Sequence, residues 1–255
     1  MVPTVPVILR AKGWNRAAWF QTVWLNGPAN EVVGHAKNGI GTTGPLRVVP
    51  IEMKWILTFA RARDLLHKVT NAELFTKEPG RRSIIEGINK RFDAEGASRV
   101  AFGNLSAVGA ALEDEYTNYR TVDAYKSYRL DELTAALGRF SFYVIPSGFA
   151  VQTGRSVSVR IDRLGVYVRD SFDFEGPQFL GIWQAPNNVA AIAPIGGNYI
   201  ESLRVYPRCS DLAFEMTNDA YRMFRRRTGY GEDFLIYSDV HTETLPATLW
   251  LDYVR

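Results

Sequence analysis

Residues 169–176 read Arg-Asp-Ser-Phe-Asp-Phe-Glu-Gly. Arg169, Asp170, Asp173 and Glu175 place one guanidinium and three carboxylates in a single short connection, interleaved with Phe172 and Phe174. Carboxylates crowded beside apolar rings have their pKa values driven apart, which makes one an acid and its neighbour a base. The same pair can hold a divalent cation such as Mg. The simpler alternative is a turn, with Asp170 and Asp173 accepting from nearby backbone amides and the rings packing inward, and spacing alone favours it. A second cluster lies in residues 231–241. Asp239 and His241, two apart in an expected strand, would share a face, and a carboxylate beside an imidazole is a proton-transfer pair. A polar, solvent-facing strand end explains them somewhat more simply. Asp170, Asp173, Arg169, Asp239 and His241 are therefore the candidate catalytic residues. Glu113 to Glu115, in Leu-Glu-Asp-Glu-Tyr, read as a solvated acidic turn and stand outside that set.

Several chemistries have no sequence support. There is no GxGxxG or GxxxxGK[ST] loop for a nucleotide and no GxSxG elbow for a serine hydrolase. His35, His67 and His241 are far apart and none belongs to an HExxH, so no zinc site can be read. The lone Cys209 has no CxxC partner and reads as a small packed hydrophobe; one cysteine allows no internal disulfide. Thirty basic and 27 acidic residues leave a net charge of +3, too little to expect nucleic acid as a partner. The run Arg225–Arg226–Arg227 reads as a solvated helix end that favours the dipole. No stretch approaches the ~20 apolar residues of a membrane span, and the first residues lack the pattern of a secretory signal. The expectation is synthesis in the cytoplasm, with any export by a route that needs no cleaved leader.

The elements that must position these groups change character along the chain. Residues 7–25 carry Trp14, Ala17 and Ala18 at helical spacing and predict an amphipathic helix. Its three tryptophans suit a membrane-surface segment or, with so few cations on the polar side, a helix packed on the core, which is the favoured reading. Residues 26–49 read as a long loop. Met53, Ile56, Leu57, Ala60 and the Leu65–Leu66 pair predict a second helix. Ser83 and Glu86 form a capping box ahead of Ile85, Ile88 and Phe92. Asp131 caps a short helix that ends at Gly138. From there the period falls from about 3.6 to two, over Phe140–Val144 and Val157–Ile161. Leu164, Val166 and Val168 continue the alternation on the other parity, which requires a bulge or bend near residues 163–165. Further strands are expected over 179–183, 199–205, 234–238 and 247–253, with one helix between them, capped by Asn218 and ended by Gly229. The reading is an α+β protein: a helical region, 1–98, packed on a β-rich region, 99–255, whose antiparallel sheet curls towards a barrel and carries one inserted helix.

Several stretches together resemble a bacterial family found beside type VI secretion genes: residues 7–19, 51–63, 131–142, 159–183 and 221–241, with RDSFDF and GEDFLIYSDV the most specific. The resemblance implies an antibacterial effector, a toxin of interbacterial competition. Its partners would be a cognate immunity protein and secretion-tip or chaperone proteins. A weaker similarity runs to the colicin M-like bacteriocins, which cleave lipid II in the periplasm with an Asp-x-Tyr-Asp motif. Here Asp170-Ser171-Phe172-Asp173 is similar to that motif, but Phe172 lacks the tyrosine hydroxyl. The His-Arg pair that follows in those proteins is replaced by Phe-Glu-Gly-Pro. The resemblance thus implies a phosphodiester hydrolase of a lipid-linked pyrophosphate, with Arg169, Arg204 or His241 as the basic partner. A non-enzymatic immunity or adaptor protein, or a membrane-disrupting toxin, remains the alternative. Because a lone thiol without a catalytic neighbour serves packing, Cys209→Ala is expected to retain fold and activity. A folded but inactive variant in a killing assay would make that thiol the nucleophile.

Overall fold

A computed structural model describes residues 2–31, 47–70, 73–115, 118–122, 131–176, 179–184, 188–191 and 213–255. His35, Arg204, Cys209 and the strand expected over 199–205 lie outside these, as does most of the loop expected over 26–49. The fold is α+β, with one helix inserted among the strands and a curled sheet that is mixed rather than wholly antiparallel as expected. Packing divides the chain into two units: Met1–Val49, Asp123–Arg139 and Asp170–Ile236 in the first, and Pro50–Val122, Phe140–Arg169 and Tyr237–Arg255 in the second. The helical and β-rich regions of the sequence are each shared between them.

The first unit begins with α1 (Val5–Ala11) and α2 (Asn15–Asn26). The single helix expected over 7–25 is thus two, broken at Gly13 and Trp14, because Gly13 takes a left-handed backbone and ends the first. Trp24 is fully buried, whereas Trp19 is exposed. The Trp24 indole meets Phe174, Tyr221 and Phe224 at 5.0, 5.2 and 6.1 Å between ring centres. Its Nε1 donates to the buried Asp233 carboxylate at 2.8 Å. The same Asp233 oxygen accepts from Arg225, whose guanidinium also lies 5.4 Å from the Trp24 ring centre. Arg225 is therefore a buried ion-pair partner rather than part of a solvated run; Arg226 and Arg227 remain exposed. Gly231 makes room for the indole: with φ +116°, any Cβ there would sit 2.5 Å from the ring.

The helix carrying Arg225, here called α8 (Asn218–Thr228), follows a small antiparallel sheet. The strands of that sheet are β6 (Phe179–Gln184), β7 (Asn188–Ala191) and β8 (Ala213–Thr217), in the order β7-β6-β8. Its cap is Thr217, one residue before the expected Asn218, with the hydroxyl accepting from Ala220 N at 3.2 Å. Asn218 is freed to donate to Glu175 O at 2.7 Å. Another short helix, α7 (Glu132–Leu137), starts as expected, with Asp131 accepting from Thr134 N at 3.0 Å.

In the second unit, α3 (Met53–Ile56), α4 (Ala60–Val69), α5 (Glu73–Thr76) and α6 (Gly80–Glu95) precede the strands. The helix expected from Met53 to Leu66 is interrupted at residues 57–59. The capping box does not form either: α6 starts three residues before Ser83, whose hydroxyl points back to Pro79 O at 3.4 Å. The face it buries is Ile84, Ile88 and Phe92. Helix α6 packs on β2 (Arg99–Phe102), and α4 on β3 (Asn118–Val122) and β4 (Phe140–Thr153). Strand β4 turns through Gly154 and Arg155 into β5 (Ser156–Phe172), which also pairs with β10 (His241–Val254). Strands β1 (Arg47–Ile51) and β9 (Phe234–Ser238) complete this sheet, entering the unit with residues 50–51 and 237–238.

The parity switch in β5 is real and local. Arg163 pairs with Ser147 and Ile161 with Gly148, so Asp162 is the extra residue of a bulge. Gly148 is required opposite it, because a Cβ there would lie 1.8 Å from Arg160 O. Beyond the bulge, residues 164–168 are buried on both faces, as expected of a strand in the middle of a sheet.

Asp233 gives the fold a direct test. Removing one partner of a buried ion pair strands the other charge, at a cost of about 3–5 kcal/mol. Asp233→Ala is expected to lose stability on that scale by urea unfolding. Asp219→Ala, at the exposed pair with Arg222, should stay within about 0.5 kcal/mol.

Candidate functional site

From Leu164 onward strand β5 is buried on both faces, up to and including Arg169, its last residue in the second unit. A guanidinium there needs a counter-charge, and it comes from Glu113 in a 3-10 turn over Gly109–Asp114. Arg169 Nε lies 3.1 Å from Glu113 Oε1, off the N–H axis, so charge rather than a linear hydrogen bond holds this contact. Three tyrosines surround the pair. The Tyr143 and Tyr237 hydroxyls bond Arg169, and Tyr237 also bonds Glu113. Tyr143 and Tyr167 are cross-strand partners stacked at 5.3 Å, and Tyr167 stacks on Tyr237 at 6.4 Å. The Tyr167 hydroxyl donates to Leu112 O at 3.3 Å, which ties the turn bearing Glu113 to the sheet.

The electrostatics differ from group to group. Burial raises the Glu113 carboxyl above its ordinary value, with Arg169 and the Tyr237 hydroxyl pulling the other way. For Arg169 burial opposes the charge, but Glu113 and the two tyrosines outweigh it and keep the guanidinium firmly protonated. Burial, reinforced by the Glu113 charge, pushes Tyr237 up to about 12, so it is a hydrogen-bond donor and not a phenolate base. A carboxyl that holds its proton above the usual range, beside a fixed cation and two hydroxyls, has the parts of a general acid–base with an anion holder. About a quarter of the Glu113 side-chain surface stays open to solvent.

The sequence candidates are scattered relative to this cluster. Arg169 belongs to it. Asp173 is held in a turn: Ser171 Oγ donates to it at 2.5 Å and Glu175 N at 3.2 Å, while Phe172 and Phe174 pack inward. Phe172 stacks on Phe234 at 5.0 Å, so the ring that replaces the motif's tyrosine is a core ring. Asp170 is half-buried at the end of β5 in the first unit, as is Asp173. Asp239 and His241 do not share a strand face: β9 ends at Ser238 and β10 starts at His241, leaving Asp239 in the connection between them. Asp239 instead accepts from Met53 N at 2.5 Å, at the start of α3, while His241 Nε2 lies 3.5 Å from Glu243. Among the described residues, no three His, Cys, Asp or Glu side chains are grouped to hold a metal ion. None of the described helices is long and apolar enough to cross a membrane.

Glu113 and the three tyrosines were missed by sequence reasoning. Glu113 is half-buried rather than fully solvated, and Glu115 is also partly buried, paired with Arg91 at 2.8 Å. The available signal was the tight Gly154–Arg155 turn, which fixes the β4–β5 register and, after one bulge residue, sets Tyr143 opposite Tyr167.

The cluster and the α+β frame define a class only broadly, and comparison of the whole chain goes one step further. The chain belongs to a family of unknown function, DUF6402, whose model matches residues 2–253. Neither a curated protein nor a solved structure matches it.

The raised Glu113 carboxyl has a thermodynamic consequence. Folding tightens its hold on a proton, so the folded chain binds more protons than the unfolded one from pH 4.5, its ordinary value, up to the raised value. Its contribution to stability therefore falls as pH rises through that window. Urea midpoints of the wild type minus those of Glu113→Gln should decline with pH above 4.5. A difference that is flat, or that rises, would mean that folding does not raise this carboxyl.

Proposed function

We propose that the chain is an antibacterial effector that hydrolyses a phosphodiester or pyrophosphate bond in the target-cell envelope, with Glu113 as its proton-transfer group. The toxin part of this reading rests on the resemblance of segments through most of the chain to a family found beside type VI secretion genes. The hydrolase part is supported by the similarity of residues 170–173 to the colicin M-like motif, but its chemistry moves away from those residues. The observation that carries it is the buried Glu113–Arg169–Tyr237 arrangement. Glu113 would take a proton from the attacking water, and Arg169 with the Tyr143 and Tyr237 hydroxyls would hold the charge that grows on the phosphoryl oxygens. The substrate class is a lipid-linked pyrophosphate met in the periplasm, and the partner is an immunity protein that covers Glu113.

The test is killing of target cells by the chain directed to the periplasm, beside thermal melts of each variant. Glu113→Gln should fold and lose about 10²-fold or more in killing, the scale of a lost general base, with partial recovery in Glu113→Asp. Asp173→Asn should kill normally, because Asn keeps a side-chain oxygen to accept a turn bond, and Asp170→Asn should kill normally because Asp170 stands outside the Glu113 cluster. If Asp173→Asn folds but does not kill while Glu113→Gln does, the site returns to the acidic connection. A wild type harmless in the periplasm would leave the immunity or adaptor reading standing.

A further inference from the structure

A groove of about 510 Å³ opens in the second unit beside the Asp162 bulge, between the end of β2 and strands β4 and β5. Arg91, Arg99, Ser147, Phe149, Asp162 and Arg163 line it. Its charges are unevenly matched. Arg91 is answered by Glu115 at 2.8 Å, and Asp162 by Arg160 at 2.7 Å. Arg99 and Arg163 have no carboxylate partner among the described residues, and both side chains are exposed. Arg99 is nonetheless placed: its guanidinium lies 4.1 Å from the centre of the Phe149 ring, and Arg160 flanks that ring at 5.4 Å. Stacking of this kind orients the planar cation and leaves its edge N–H groups to bond something else.

A second observation is independent of the charges. Ser147 is only 5% exposed, and what shows of it lines the groove. It lies on the same side of β4 as Phe149, two residues on. A hydroxyl on the wall of a groove, on the same side as an aromatic ring, can donate to a ligand oxygen held there.

Taken together, these features lead us to propose that the groove beside the bulge binds a dianionic phosphoryl group of the pyrophosphate or phosphomonoester class. Arg99 and Arg163 are its two arms and Ser147 is its floor. Two unmatched guanidiniums suit about two negative charges, and their planar forks suit phosphoryl oxygens held in pairs. The volume is that of a small-molecule site, and the Phe149 ring gives the groove an apolar side for the organic part of such a ligand. This site binds without needing the hydrolase reading, because none of its residues belongs to the Glu113 cluster.

The experiment is calorimetric titration of the full chain with inorganic pyrophosphate, with vesicle sedimentation alongside it. One equivalent should bind, more weakly as salt rises. Arg99→Gln and Arg163→Gln should each weaken Kd about tenfold, the equivalent of one charged hydrogen bond, and the double variant by about a hundredfold. Both variants should keep the wild-type melting temperature, and Arg226→Gln should bind as wild type does. Vesicles carrying a polyprenyl pyrophosphate, but not phosphatidylglycerol, should sediment the chain if the group arrives on a lipid. Binding of free pyrophosphate alone would identify a soluble source of the same group. No binding, unchanged binding by the double variant, or equal sedimentation with phosphatidylglycerol would overturn the site. Glu113→Gln should bind pyrophosphate normally, so a failed hydrolase reading and a failed anion site give different results.

Discussion

A guanidinium cannot remain in a strand that is buried on both faces unless something of opposite charge reaches it. The second unit is arranged around that constraint at Arg169. Taking an ion from water costs several kcal/mol even after the protein relaxes, and attraction offsets this only where geometry and further hydrogen bonds are good. Here the attraction comes from Glu113 and the further bonds from Tyr143 and Tyr237. The 3-10 turn that delivers Glu113 is fixed in turn through Leu112, a fully buried side chain whose carbonyl accepts from Tyr167. Strand, turn and ring stack therefore depend on one another through a single charge.

The first unit meets a similar constraint with different residues. Arg225 and Asp233 are both buried, and the Trp24 indole serves both, through its N–H to the carboxylate and its ring face to the guanidinium. No described histidine or cysteine enters the arrangement, and the surrounding rings of Phe174, Tyr221 and Phe224 shield it. The two arginine sites differ in openness. Asp233 is 2% exposed, whereas the Glu113 side chain is 25% exposed. That difference is why one reads as an anchor and the other as a place where chemistry can happen.

Much of the frame was legible in the sequence, because alternation, caps and breakers act locally. Asp131 and Gly138 bracket their helix, Phe234–Ser238 is the strand its pattern describes, and the parity change in β5 falls within a residue of its expected place. Helices were read too long where apolar spacing ran through a break, at Gly13 and at residues 57–59. Tertiary bonds took over at other points: α6 starts before Ser83, and Asp239 was drawn to the α3 amide at Met53. The candidate site was legible only in part. Arg169 was visible as a charge beside carboxylates, but the carboxylate that it meets is 56 residues away in sequence, and composition carries no trace of that pairing. The acidic connection looked chemical for the same reason that it is structural, since short acidic side chains are good acceptors for turn amides.

The bulge at Asp162 also shapes how this chain can drift over generations. Deleting that one residue would leave Ile161 and Arg163 adjacent and still opposite Gly148 and Ser147, so β5 would run on in one regular alternation, whereas losing a codon elsewhere in the paired strand would turn over every side chain on one side of the gap. The turn at Gly154–Arg155 lies at the other end of the same hairpin, where a longer loop adds no change of parity within the paired strands. Relatives of this chain should therefore vary in length at the hairpin tip and at the bulge, and keep a constant residue count from Arg163 to Arg169.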